Sequence, residues 1–268
     1  MLSIRQSSKG ILLFFLLSFF NQKIQAQNMD YKHPMSVLFD KGLTALNEGD
    51  TLTAFQQIQA AYSFSKLDDQ VNYYYISLSL ALDKPFAEKL ANSFLQNSNN
   101  KIYKSRIEFL LGKYYFKQHK DKEALNAFNK VSIDDLGNGE LILMKYQQGY
   151  LYFKAGKWDR ATTLLNAVRQ IKNNPYYTDA NYYAGFIALE KKEFKEALNY
   201  FQIASTNNAY AKLTPFYISQ LYYFLGDIDA ALVNCEKALT TPGQFYEVQL
   251  KQLLGHLLFE KKEFAKAQ

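Results

Sequence analysis

Cysteine is almost missing from this 268-residue chain: Cys235 by itself can close no intramolecular disulfide and build no thiolate zinc or iron–sulfur site. Only three histidines occur, His33, His119 and His256, and they are scattered. That leaves little for an imidazole metal centre and gives no Ser/His/Asp or Cys/His spacing for nucleophilic catalysis. Five prolines and 12 glycines are too few to turn an all-β sandwich or to wind a collagen-like rod. A Gly-rich phosphate loop and a nucleotide fingerprint are also missing, since Gly137-Asn138-Gly139 alone is neither. No catalytic residue, metal ligand or cofactor-binding residue is therefore assigned, no cofactor is expected, and the chain is read as a non-enzyme. What is abundant is apolar and aromatic: 48% of the residues are hydrophobic, with 21 Tyr and 21 Phe, enough to bury a large core of helical type.

Basic charge is unevenly placed. Arg5 and Lys9, with no acid among them, precede an apolar run over residues 11–20 broken only by Ser18, and residues 21–26 turn polar and end on Ala26. This is the three-part layout of a secretory signal, and a run of about 15 Å as a helix is roughly half the thickness a membrane anchor needs. We expect residues 1–26 to be a signal peptide, residues 27–34 a short leader, and the mature chain to be exported to the periplasm or cell envelope. No Cys stands at the cleavage point to accept a lipid. Removing Arg5, Lys9 and Lys23 takes the formal net charge from +6 to +3, because no Asp or Glu precedes Asp30. The remaining lysines alternate with acids, as in Lys191-Lys192-Glu193 and Lys195-Glu196, which makes solvated helix faces and not a phosphate-binding stripe. Nucleic acid is not an expected partner.

The rest of the chain repeats. Leu-Gly-Lys-Tyr-Tyr at 111–115, Gln-Gly-Tyr-Leu-Tyr at 148–152 and Ala-Gly-Phe-Ile-Ala at 184–188 align, and a small residue follows each glycine by twelve positions. The pairs are Gly42 with Ala54, Gly112 with Ala124, Gly149 with Ala161, Gly185 with Ala197 and Gly255 with Ala267. Sixteen residues after the first four glycines come Ile58, Phe128, Leu165 and Phe201. Another copy has Ser219 in place of the glycine but keeps Tyr222, Ala231, Cys235 and Ala238 in register. The 70-residue gap between Ala54 and Ala124 is twice 35, so a degenerate unit is predicted there, with helices over residues 71–82 and 85–95 and Pro85 at a helix start. Helices of about 12 residues are marginal alone in water. Small residues let two of them approach, and large ones such as Tyr115, Tyr152 and Phe201 fill the remaining space.

These residues resemble the tetratricopeptide repeat family, whose unit of about 34 residues has Gly and Tyr in a first helix and Ala, Phe and Ala in a second. The resemblance covers residues 35–268. It implies an all-α fold, a right-handed α-α superhelix or solenoid of about six to seven helix-turn-helix repeats, the last incomplete at Gln268. From that incompleteness we expect the array to continue in a longer chain. The family's first-helix Trp is absent; Trp158 sits just before a second helix, and Pro175 ends one unit.

The resemblance further implies a concave groove lined by first-helix residues three before, one after and four after the glycine. Those positions hold Phe109, Lys113 and Phe116, then Tyr146, Tyr150 and Phe153, then Tyr182, Phe186 and Leu189, then Phe216, Gln220 and Tyr223. Tyr150 and Phe186 stand where a polar residue is usual. Aromatic side chains give large contact area with few rotors to freeze, which suits capture of a protein or peptide. A subgroup of the family clamps a C-terminal carboxylate with Lys, Asn and Arg on this face; Lys113 is the sole candidate, so that clamp is absent. The expected function is a non-catalytic scaffold of the cell envelope, touching membrane only through partners or through sequence beyond Gln268. The alternatives are the extracytoplasmic sensor segment of a longer membrane signalling protein, or an accessory module of an enzyme. Two other features are read as structural. The string Asp134-Asp135-Leu136-Gly137-Asn138-Gly139-Glu140 lacks the alternating acids of a calcium loop and is predicted to be a long flexible turn between repeats. Cys235 is predicted to be a small core residue.

Overall fold

The structure, a computed structural model, describes residues 34–262. The signal peptide, nearly all of the leader and the second helix of the last repeat fall on residues 1–33 and 263–268, outside that range. Among the described residues there are 13 α-helices and no strand, which makes the fold all-α. The chain divides into two compact units, residues 1–144 and 145–268.

In the first unit α1 (Pro34–Asn47) pairs with α2 (Thr51–Phe64), α3 (Asp69–Ala81) with α4 (Ala87–Asn97), and α5 (Lys101–Lys117) with α6 (Asp121–Phe128). A 3-10 turn at Ile133–Asp135 leads into α7 (Asn138–Lys154), whose later residues open the second unit. There α7 is followed by α8 (Trp158–Arg169), α9 (Tyr177–Glu190) pairs with α10 (Phe194–Ala204), and α11 (Thr214–Phe224) pairs with α12 (Ile228–Leu239). The last described helix is α13 (Glu247–Glu260), packed on α12. Helix-turn-helix hairpins therefore account for the described residues as the repeat spacing predicts. Boundaries differ from expectation in places: α3 spans 69–81 in place of 71–82, and α4 spans 87–97 in place of 85–95. Trp158 is the first residue of α8, and Pro85 lies in the turn before α4, two residues ahead of its first helical position.

The glycines have a specific partner. A Cβ at Gly42 would sit 2.5 Å from Ile58, one at Gly149 3.0 Å from Leu165, one at Gly185 2.9 Å from Phe201, and one at Gly112 inside contact distance of the Phe128 ring. In each hairpin the first helix gives up its side chain so that the residue sixteen places later can lie across it. Phe128, Leu165 and Phe201 are each 1% exposed or less. Ser219 and Cys235 solve the same problem with two small side chains, and Cys235 is the core residue predicted, with its thiol pushed up by burial. The degenerate hairpin departs from the pattern. Lys84 N–H donates to the Ser79 carbonyl, the bond that in the other turns starts three residues after the glycine, so Ile76 holds the glycine register. Sixteen residues after Ile76 stands Asn92, which is exposed, while Ala91, fifteen after it, is fully buried like Ile76, so the sixteen-residue offset fails in this hairpin.

Every first helix ends the same way. Gly49, Asp83, His119, Gly156, Lys192, Gly226 and Lys262 have φ between 52° and 83°, at intervals of 34, 36, 37, 36, 34 and 36 residues. Each donates to the carbonyl three residues back, and for the first six the next residue donates to the carbonyl five back, as Glu193 does to Ala188 at 2.8 Å, a Schellman close. Four of these positions carry a side chain where glycine is preferred. Lys192→Gly is expected to raise stability by about 0.5–1 kcal/mol, since relief of the left-handed strain outweighs the added freedom of the unfolded chain. A thermal melt that does not rise would show the strain to be absorbed elsewhere.

Candidate functional site

The first unit places its three predicted groove residues unequally. Phe109 is 1% exposed, with its ring 6.4 Å from that of Phe128, so it belongs to the hairpin interior and offers a partner nothing. Lys113 lays its ammonium 5.3 Å from the Phe109 ring centre, and burial lowers its pKa although Glu140 partly offsets this. Phe116 is half-buried on the same helix.

The second unit brings most of its predicted residues into one aromatic sheet. Tyr146 is 9% exposed and stacks on Tyr176 at 4.7 Å, which closes its face. Tyr150 and Phe153 are half-buried, and both lie near Tyr183, at 5.0 and 5.1 Å. Tyr182 stacks on Tyr210 at 4.3 Å and meets Phe186 edge-on at 5.0 Å. Phe186 in turn meets Phe201 and Tyr217 edge-on at 5.0 and 4.9 Å, within the hydrophobic cluster that holds α9, α10 and α11 together. Phe216 packs against Tyr217 and Tyr246, and Gln220 is half-buried. Tyr223 donates to Glu260 at 3.0 Å and lies 3.0 Å from His256 Nε2, so it is tied to α13. Burial pushes the Tyr182 hydroxyl up to about 12 and that of Tyr146 well above its usual value. They therefore act as hydrogen-bonding, flat, uncharged surfaces at ordinary pH.

Solved structures share the fold of helical hairpins. A tetratricopeptide repeat protein from Parabacteroides merdae ATCC 43184 superposes with a TM-score of 0.52 at 18% identity, over 87% of this chain and 89% of that one. Pseudomonas aeruginosa pilF does so with a TM-score of 0.56 at 16% identity, over 81% of this chain and 96% of that one. The fold is the tetratricopeptide-repeat fold. At these identities the likeness is one of fold, and no family model and no curated protein matches the chain. Solenoid arrays of this kind expose extended surfaces used to hold other proteins.

Sequence reasoning missed part of this aromatic surface, both off the predicted rows of α9 and α11 and in the turns before the helices. Tyr176, Tyr183, Tyr210, Tyr217 and Tyr246 complete the aromatic sheet, and Asp179 sits among them. The repeat register alone does not pick these out, because three of them lie outside the first-helix rows or at helix starts. It also missed a buried ion pair in the first unit. Arg106 donates to Glu140 at 3.0 and 3.3 Å, to the Asp135 carbonyl at 2.7 Å and to the Tyr73 hydroxyl at 3.0 Å. Glu140 also accepts from Gly137 N–H at 3.0 Å. The acidic string at 134–140 is therefore a pinned 3-10 turn and helix start, in place of the flexible turn predicted. Among the described residues no three His, Cys, Asp or Glu side chains are grouped to hold a metal ion, and no helix is long and apolar enough to cross a membrane.

Proposed function

We propose that this chain is a non-catalytic interaction scaffold of the cell envelope, and that it holds a protein or peptide on the aromatic face of its second unit. The reading is carried by the half-buried rings on α7, α9 and α11, above all Tyr150, Phe153, Tyr182 and Tyr223, which remain in part at the surface after the hairpins have packed. Flat aromatic side chains with two rotors lose little entropy on binding and supply most of the energy at interfaces of this kind. Phe109 and Tyr146 drop out of the binding surface because they are buried, and Phe186 serves the core first. The envelope setting rests on the signal pattern of residues 1–26.

Phe186→Ala is expected to lower the melting temperature, because its ring contacts four others, whereas Tyr150→Ala is the cleaner probe of binding. Twelve-residue peptides selected on the protein from a displayed random library should bind Tyr150→Ala at least tenfold more weakly while its melt stays within a few degrees of the parent. Peptides that bind the variant as tightly as the parent would remove this face from the interaction.

A further inference from the structure

The first unit carries an open groove that the proposed function does not use. It lies between the C-terminal end of α4, the first two turns of α5 and the turn at residues 130–135, and has a volume of about 730 Å³. Small-molecule sites occupy roughly 300–1,000 Å³. Lys101, Lys104 and Lys130 line it, against two acids, Glu108 and Asp135. Lys130 is engaged with Glu108 at 3.2 Å. Lys101 and Lys104 have no such partner: among the described residues neither ammonium makes an ion pair or a hydrogen bond. Both stand in the opening turn of α5, where the helix dipole is already positive, so they are unfavourably placed until an anion lies against them. Ser105 adds a buried donor. It is 7% exposed and its Oγ accepts from Ser132 N–H at 3.0 Å, while among the described residues its own O–H has no acceptor. The wall beside these donors is apolar, with Leu95 half-buried and Ile102 exposed.

Charge selects among the anions. Three lysines against two acids leave the groove one net positive charge. A phosphodiester carries one negative charge at neutral pH and balances it, whereas a phosphate monoester carries nearly two and sets the excess against Asp135. The groove is far larger than one phosphate group, and its apolar wall suits the carbon of an ester. We infer that it binds a small phosphodiester, whose phosphoryl oxygens take the Lys101 and Lys104 ammoniums and the Ser105 hydroxyl while its alcohol carbons lie on Leu95 and Ile102. A soluble glycerophosphodiester and a phospholipid headgroup present the same atoms and the same charge.

The test is an NMR titration of the full chain with glycerophosphoglycerol, with glycerol 3-phosphate as the monoester and diglycerol as the neutral control. Saturable shifts of the Lys101, Ile102 and Ser132 amides are expected with the diester, and weaker binding with the monoester. Lys101→Gln combined with Lys104→Gln should weaken the diester about tenfold, with a melt that holds or rises because the repulsion from the helix dipole is gone. Asp135→Asn should tighten it several-fold, since an acid without an ion-pair partner leaves the groove. Cosedimentation with vesicles of mixed phosphatidylcholine and phosphatidylglycerol, with pure phosphatidylcholine as the blank, separates the two sources. Pelleting that needs Lys101 and Lys104 identifies the lipid headgroup, and diester binding without pelleting identifies the soluble diester. A response to diglycerol equal to that of the diester, a monoester that binds as tightly, undiminished binding by the double lysine variant, or the absence of both a saturable shift and lysine-dependent pelleting overturns the inference. None of these outcomes bears on what the aromatic face of the second unit holds.

Discussion

Arg106→Met is expected to destabilise the protein by about 3–5 kcal/mol, the range found when one partner is removed from a buried ion pair. The side chains of Arg106 and Glu140 are 11% and 9% exposed, so each charge has been taken out of water and depends on the other. Burial alone would lower the Arg106 guanidinium, and Tyr73 and Glu140 reverse this to leave it above its usual value. Without the guanidinium, Glu140 keeps only the Gly137 amide, while the Asp135 carbonyl and Tyr73 hydroxyl lose a charged donor. The cost comes from stranding these groups more than from lost attraction. A double replacement, Arg106→Met with Glu140→Leu, should therefore recover much of the loss, because neither charge then has to be desolvated. Urea unfolding of the two single variants and the double one measures this. A loss below about 1 kcal/mol for Arg106→Met would mean that the pair behaves as a solvated surface bridge.

The pair also shows where sequence reasoning stops. Arg106 and Glu140 are 34 residues apart, one repeat, and in a chain rich in Lys and Glu nothing marks them from charges on wet faces. The hairpins were legible because backbone contact tolerates only small side chains, so Gly112 and Ala124 or Gly185 and Ala197 recur at a fixed offset. The hairpin of α3 and α4 was legible only as length and apolarity, since there Ile76 stands in the glycine register and Asn92, not a large apolar residue, follows it by sixteen. Turns at His119 and Lys192 were hidden because a strained left-handed residue need not be glycine when the Schellman bonds hold it. The groove residues fared differently. Helical periodicity places Phe109, Tyr146 and Phe186 on one row, but whether a ring on that row is open depends on what covers it. Phe128, Tyr176 and Tyr217 do so from other helices and turns, and their reach cannot be read from a single row.

The glycine rule makes the sharpest packing prediction. Gly112→Ser puts a side chain into the Phe128 ring, and overpacking of this kind costs about 1–3 kcal/mol. Phe128→Cys removes a ring that is 1% exposed and should cost about 3–5 kcal/mol, as for other buried Phe truncations. If the two sites share one volume, the double variant is less damaged than the sum, with a coupling of about 0.5–3 kcal/mol. The hairpin of α11 and α12 already uses that combination, with Ser219 and Cys235 buried together. Its serine is better served, however: Ser219 Oγ donates to the Pro215 carbonyl at 2.9 Å and accepts from Asn234 at 2.7 Å. In the hairpin of α5 and α6 the residue fifteen after the glycine is Ala127, which can donate nothing. Gly112→Ser with Phe128→Cys should therefore recover only in part, and adding Ala127→Asn should recover more by satisfying the new hydroxyl. Thermal melts of the two singles, the double and the triple complete the cycle. Strictly additive losses would separate the glycine from the ring it faces and would leave the sixteen-residue offset without a packing cause.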